Sequence, residues 1–140
     1  MPRVEAAREL LAPREDVWAF IAEPHHLADW WPAIAAVQPD RRGFAPGARW
    51  QVHGRNRPSL FRRPSPSGTL LVLAIEPLER WAFQLTGERL EVEIRLSASA
   101  PDRTVAVVSV TGPWLIGLGK SLPRSALARL HALCQTAANL

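Results

Sequence analysis

Apolar and polar positions alternate through much of the second half of the chain. Trp81, Phe83 and Leu85 alternate with polar or small residues, and the segment 90–96 repeats the pattern after Thr86-Gly87-Glu88. A period of two is typical of strands in an antiparallel sheet with one dry and one wet face, and the short polar break predicts a tight hairpin. Further strands are predicted over 4–11, 49–54, 69–75 and 104–111, with a short one near Val37.

Two short helices are predicted between the first strand and the rest of the sheet. Pro13 suits a first helical position, because its missing N–H would be unpaired there. Glu15 and Asp16 place negative charge in the first turn, where the helix dipole favours it. Pro24 ends this helix, and the segment 25–31 predicts a second one.

A long C-terminal helix is predicted from Trp114 to about Ala138, because leucine and alanine recur there at helical spacing. At 1.5 Å per residue it would be roughly 35 Å long, enough to lie across the sheet. Pro123 removes a bond to the Gly119 carbonyl, so a kink is predicted there.

The helical segment near the N-terminus resembles the opening of the START-like superfamily, also called SRPBCC or the polyketide cyclase/dehydrase group. The matching residues are Ala12, Pro13, Val17, Trp18, Glu23, Pro24, Leu27 and Trp30. The resemblance implies an α+β helix-grip fold like that of the birch-pollen allergen. In that fold a curved antiparallel sheet of six to seven strands has two short helices after the first strand, and a long C-terminal helix packs across it. The resemblance also implies a cavity between sheet and helix, but no single activity, since members include lipid carriers, cyclases, hormone receptors and chaperone activators.

Length and composition predict one globular domain over residues 1–140, with 47% hydrophobic residues. No apolar run approaches the roughly 20 residues that span a bilayer. The charged N-terminus lacks the apolar core of a signal peptide. A single cysteine, Cys134, cannot form an internal disulfide. Together these features predict a cytoplasmic protein.

Positive charge is concentrated in the middle of the chain. Between Arg41 and Ile75 there are seven arginines and no acidic residue. Such a segment is typical of a solvated basic rim, and the alternative is a docking surface for an anion. Both interpretations stay open at this point.

The inner face of the predicted cup defines the candidate ligand cavity. Apolarity alone does not distinguish a cavity from a filled core, but several large aromatic rings line a void more readily than they fill one without gaps. Ser109 is expected to bring a hydroxyl to this face. The predicted lining residues are Trp31, Trp50, Val52, Leu71, Leu73, Trp81, Phe83, Leu85, Leu90, Val92, Ile94, Ser109, Leu115, Leu118 and Leu122.

The segment 55–68 combines arginine, proline and serine, which argues against a central strand. The resemblance implies that this connection flanks the cavity mouth and acts as a gate; the alternative is a solvated loop. No aromatic stacking platform accompanies its arginines, which argues against nucleic-acid binding. The predicted gate residues are Arg55, Arg57, Leu60, Phe61, Arg62 and Arg63.

Catalytic patterns are sparse. The chain has no tyrosine, and its histidines, His25, His26, His53 and His131, have no cysteine or acid at metal-ligand spacing. We therefore predict no catalytic residue, no metal and no cofactor.

Three functions remain open at the level of sequence. The first is binding of a lipid, polyketide or quinone-like molecule in the cavity. The second is a polyketide cyclase/dehydratase-type enzyme without a metal, and the third is a chaperone-activator-like docking module. The segments 70–75 and 105–110 are apolar on both faces, and a homodimer would cover the outer one.

Overall fold

The computed structural model describes residues 3–32, 34–54, 67–86, 89–112 and 121–138. Its elements follow the predicted order of strand, short helices, sheet and C-terminal helix. They are β1 (Arg3–Leu10), α1 (Arg14–Ile21), a 3₁₀ turn (Pro24–His26), α2 (Leu27–Trp30), β2 (Ile34–Gln38), β3 (Arg49–Gly54), β4 (Ser67–Glu76), β5 (Arg80–Leu85), β6 (Leu90–Ala100), β7 (Arg103–Thr111) and α3 (Leu122–Ala138).

The described strands form one antiparallel sheet in the order β1-β7-β6-β5-β4-β3-β2. Because β1 pairs with β7, the first strand of the chain lies beside the last. Helix α3 packs against β1, β7 and α2. This arrangement confirms the predicted α+β architecture, with seven strands in the described part of the sheet.

Helix α1 begins at Arg14, one residue after Pro13, which was predicted as its first residue. Pro13 is the N-cap, with extended backbone, and its carbonyl accepts the N–H groups of Asp16 and Val17 at 3.1 Å. Val17 and Ile21 are the buried residues of this helix. A difference of one residue at a helix end is common, so the predicted helix is confirmed.

The C-terminal helix is described from Leu122 onwards, and the predicted residues before Ser121 lie outside the described range. Pro123 stands in the first turn of α3 as described, where a proline breaks no bond within the helix. The predicted kink depends on Gly119, which is outside the described residues.

The alternation predicted for β5 and β6 is confirmed by their burial. Trp81 pairs with Ile94, and Phe83 pairs with Val92, and all four side chains are fully buried. The polar residues on either side of them on β6 point the other way; Glu91 and Arg95 are exposed. Removing such apolar rows from water stabilises a fold by about 25 cal/mol per Å².

The face predicted for β4 is wrong. Leu70 and Val72 are 0% and 1% exposed, whereas Leu73 is 37% exposed and Leu71 is half-buried. Leu71 and Leu73 therefore lie on the outer face and do not line the inner one. The strand is apolar at consecutive positions, so its sequence does not show which residues face inward. Leu73 is exposed in the single chain, and the homodimer that would cover it stays a prediction.

Ser109 also lies on the outer face, against expectation. Its partners in register are Glu5 on β1 and Glu93 on β6. The Ser109 hydroxyl donates to Glu5 Oε2 at 2.8 Å and accepts from Arg3 Nη2 at 3.0 Å. This hydrogen bond from Ser109, together with the charge of Arg3, holds the pKa of Glu5 below its usual value. The Ser109 hydroxyl is thus held on the outer face by its hydrogen bonds with Glu5 and Arg3.

Candidate functional site

Six aromatic rings meet on the inner face of the sheet, and we call them the aromatic cluster. Neighbouring ring centroids lie 4.6 to 6.4 Å apart, the range in which aromatic pairs attract each other. Five of the six, all except Phe44, are among the largest fully buried side chains of the described residues. The members are Trp30, Trp31, Phe44, Trp50, Trp81 and Phe83.

Trp81 is the centre of the aromatic cluster. Its ring lies 4.6 Å from Phe83, 5.1 Å from Phe44, 5.7 Å from Trp50 and 6.2 Å from Trp30, centroid to centroid. Strands β3 and β5 carry three of these rings inward because every second strand residue faces the same side. The cluster therefore joins two non-adjacent strands, helix α2 and the loop before β3.

The two adjacent tryptophans come from the end of α2. Trp30 is its last residue, and Trp31 is the C-cap, whose N–H donates to the Leu27 carbonyl at 2.8 Å. Trp31 has extended backbone, so its side chain leaves the helix in a different direction from that of Trp30. The two rings are edge-to-face at 6.0 Å, and both are fully buried.

A tight turn before β3 supplies the hydrogen-bond acceptor for one indole of the cluster. The Trp50 Nε1–H donates to the Gly43 carbonyl at 2.7 Å. Gly43 has φ of +61°, a left-handed conformation that favours glycine. The next residue, Phe44, lies 6.4 Å from the Trp50 ring. The turn thus places both an acceptor and a ring at the cluster.

Asp40 holds this turn in place. Its carboxylate accepts the backbone N–H groups of Arg49 at 2.9 Å, Arg42 at 3.0 Å and Gly43 at 3.2 Å. The hydrogen bond from Arg49 is the main cause that lowers the pKa of Asp40, and those from Arg42 and Gly43 act in the same direction. The charged carboxylate is therefore the form that the fold prefers.

We expect the Asp40 turn to weaken in acid. A carboxyl whose pKa is lowered by folding stabilises the protein above its unfolded-state pKa of about 3.9, and this contribution is lost as the pH falls through the lower folded value. The urea midpoint of Asp40→Asn should therefore fall less between pH 7 and pH 3 than that of the wild type. Glu91→Gln removes one carboxylate from the exposed outer face and is measured alongside as the matched control for the change in net charge. Equal pH dependence in Asp40→Asn and the wild type would contradict the prediction.

Three other indole groups of the cluster have no acceptor among the described residues. The Nε1 atoms of Trp30, Trp31 and Trp81 are buried, and none of the residues that the structure describes accepts a hydrogen bond from them. An indole nitrogen can only donate, so these groups are satisfied only by an acceptor from elsewhere. They differ in this from Trp50.

The structure brings together most of the predicted lining residues. Trp31, Trp50, Trp81 and Phe83 are in the aromatic cluster, and Leu122 packs half-buried against the core. Others are buried on the same apolar face, namely Val52, Leu85, Leu90, Val92 and Ile94. Leu115 and Leu118 lie outside the described residues, as do the predicted gate residues Arg55, Arg57, Leu60, Phe61, Arg62 and Arg63.

The prediction missed Phe44. It lies in a segment rich in glycine and proline, where no alternation marks a face. The only available signal was an aromatic residue six positions before Trp50 in such a turn.

One of the histidines, His26, packs against helix α1. His26 Nδ1 lies 2.8 Å from the Phe20 carbonyl, and its ring stacks on Phe20 at 4.1 Å. Within the described ranges, no three His, Cys, Asp or Glu side chains come close enough to hold a metal ion.

Sequence comparison places the chain in a known family. The model of the family described as "Polyketide cyclase / dehydrase and lipid transport" matches residues 1–135. The chain belongs to this family. The START-like resemblance of its N-terminal segment is thereby confirmed. A search of curated protein sequences found no significant match.

Several solved structures share the fold of this family member. XoxI from Bacillus cereus superposes with a TM-score of 0.76 at 12% identity, over 99% of each chain. A START superfamily protein from Mycobacterium smegmatis has a TM-score of 0.72 at 13% identity, over 96% of this chain and 98% of that one. The di-domain ARO/CYC BexL of the BE-7585A biosynthetic pathway has a TM-score of 0.79 at 15% identity, over all of this chain and 48% of BexL.

This family member also has a groove away from the aromatic cluster. A cavity of about 370 Å³ lies between α1, the end of β1 and α3. Burial, and secondarily the charge of Asp16, raises the pKa of the Cys134 thiol at this groove. Its lining is mostly apolar: Leu11, Ala12, Pro13, Asp16, Val17, Phe20, Leu130, Leu133 and Cys134. The sequence pattern did not indicate it, because it depends on how α1 and α3 meet.

A membrane-spanning helix is not found among the described residues of this family member, since none of their helices is both long and apolar enough.

Proposed function

We propose that the protein binds a hydrophobic small molecule between the aromatic cluster and its C-terminal helix. The observation that carries the proposal is the placement of the cluster. Its rings lie on β3 and β5, whereas the described part of α3 packs on β1 and β7, farther along the same inner face. An apolar molecule that lies on this face would gain roughly 25 cal/mol for each Å² of apolar surface that leaves water.

Membership of a family of polyketide cyclases/dehydrases and lipid-transport proteins supports the same proposal. A lipid, a polyketide or a quinone-like molecule has the size and apolar surface for such a site. The cyclase/dehydratase alternative draws support from the family description and from the likeness to BexL. The hydroxyl that this alternative would use, that of Ser109, does not face the site, because it is hydrogen-bonded to Glu5 on the outer face.

The first test is native mass spectrometry of freshly purified protein, followed by unfolding and small-molecule analysis. We expect an additional mass that is released on unfolding. The second test is calorimetric titration with fluorene, a rigid apolar aromatic compound. Val52→Phe enlarges a side chain on the inner face, and Leu73→Phe enlarges an exposed one on the outer face of the next strand.

We expect Val52→Phe to weaken fluorene binding by about tenfold, because the new ring occupies part of the inner face. Leu73→Phe should leave the affinity unchanged. Absence of any released mass together with absence of fluorene binding would overturn the proposed function, and so would an equal effect of the two variants.

A further inference from the structure

The unpaired indole groups of the aromatic cluster point to the chemistry of the ligand. Trp30, Trp31 and Trp81 are each 0% exposed, and their Nε1–H groups have no acceptor among the described residues. A buried donor without a partner is costly, and proteins rarely keep several of them in one place without a reason. Three such donors in a single cluster require an explanation.

The rings that carry these three donors are neighbours. The Trp30 ring centroid lies 6.0 Å from that of Trp31 and 6.2 Å from that of Trp81. In the same cluster, Trp50 donates to the Gly43 carbonyl at 2.7 Å. The described part of the fold therefore provides a backbone acceptor for one indole and none for the other three.

We propose that these three indole N–H groups donate hydrogen bonds to oxygen atoms of the ligand, which is an aromatic compound that carries carbonyl groups. This inference rests on the proposed function. Indole nitrogens only donate, so the ligand must accept. A carbonyl oxygen accepts without adding a donor that itself needs a partner, whereas a carboxylate would bury a charge among apolar rings. Flat aromatic surfaces pack well against the rings of the cluster.

The chain thus recognises its ligand by two features at once. The aromatic rings contact the apolar skeleton of the ligand, and the N–H groups favour ligands whose oxygen atoms lie within hydrogen-bond distance of them. A purely hydrocarbon molecule would fill the site but leave the donors unpaired. The competing explanation is that ordered water satisfies the three groups, and the experiment separates the two.

The test compares 9-fluorenone with fluorene, two rigid molecules of the same shape that differ by one carbonyl oxygen. Calorimetric titration of each compound gives a ratio of affinities for the wild type and for Trp30→Phe, Trp31→Phe, Trp81→Phe and Trp50→Phe. Because both affinities are measured on the same variant, a general loss of stability changes the ratio little. Trp50→Phe is the matched control, since its N–H is already bonded to Gly43.

We expect fluorenone to bind about tenfold more tightly than fluorene, as one added hydrogen bond would give. At least one of Trp30→Phe, Trp31→Phe and Trp81→Phe should abolish this preference, while Trp50→Phe keeps it. In nitrogen-15 correlation spectra, the indole signal of the responsible tryptophan should move downfield with fluorenone and not with fluorene.

Two results would overturn the inference and leave the proposed function intact. The first is equal affinity for fluorenone and fluorene. The second is a fluorenone preference that persists in all three variants, which would show that it does not come from a hydrogen bond with any one of these indole groups. Failure of both compounds to bind, with no released mass, would instead remove the proposed function and this inference with it.

Discussion

Trp81→Ala should lower the free energy of unfolding by about 3–5 kcal/mol, the largest effect that we expect from a single substitution in the described inner face. Trp81 is fully buried and contacts four other rings, so its removal leaves a void that those rings cannot close without leaving their own positions. Chemical denaturation followed by circular dichroism measures the change.

The control is Leu73→Ala on the outer face of β4. Its side chain is 37% exposed, so the expected change in the free energy of unfolding is much smaller, about 0.5 kcal/mol. A loss below about 1 kcal/mol for Trp81→Ala would contradict the prediction and would mean that the aromatic cluster collapses easily into the space.

Strands with one polar face could be predicted from the sequence. On β6 the exposed Glu91 and Arg95 mark the wet side, so Val92 and Ile94 could be assigned to the core, and they are fully buried. The same holds for the first helices, where Pro13 is the N-cap of α1 and Pro24 begins the turn that follows it. In these places local chemistry alone determines the orientation of the side chains.

Strands that are apolar on both faces could not be assigned. On β4 the pattern did not distinguish Leu71 and Leu73 from Leu70 and Val72, and the structure places the first pair outside. On β7 the direction of Ser109 depends on its register with Glu5 and Glu93, which only strand pairing reveals. A polar side chain can be 5% exposed on an outer face when ion-paired neighbours cover it, so burial alone does not identify a cavity residue.

The sequence could not predict which tryptophan indoles find a hydrogen-bond acceptor. Four buried indoles look alike in the sequence, yet within the described ranges only the Trp50 indole donates to a carbonyl. That difference depends on Asp40, whose three backbone hydrogen bonds shape the turn that presents Gly43. A single carboxylate at the surface thus holds the turn that supplies the acceptor for Trp50.

Trp50→Phe should lower the free energy of unfolding by about 1–3 kcal/mol more than Trp81→Phe does in ligand-free, refolded protein. Both substitutions remove the same atoms from fully buried rings 5.7 Å apart, so their losses of packing are similar. Trp50→Phe also breaks the 2.7 Å bond and leaves the Gly43 carbonyl without its partner. Trp81→Phe removes a donor that has no acceptor in the part of the chain that the structure describes. Urea denaturation of the two variants side by side measures the difference. If Trp81→Phe were as destabilising as Trp50→Phe, the Trp81 N–H would already have an acceptor without ligand, and ordered water would be its source.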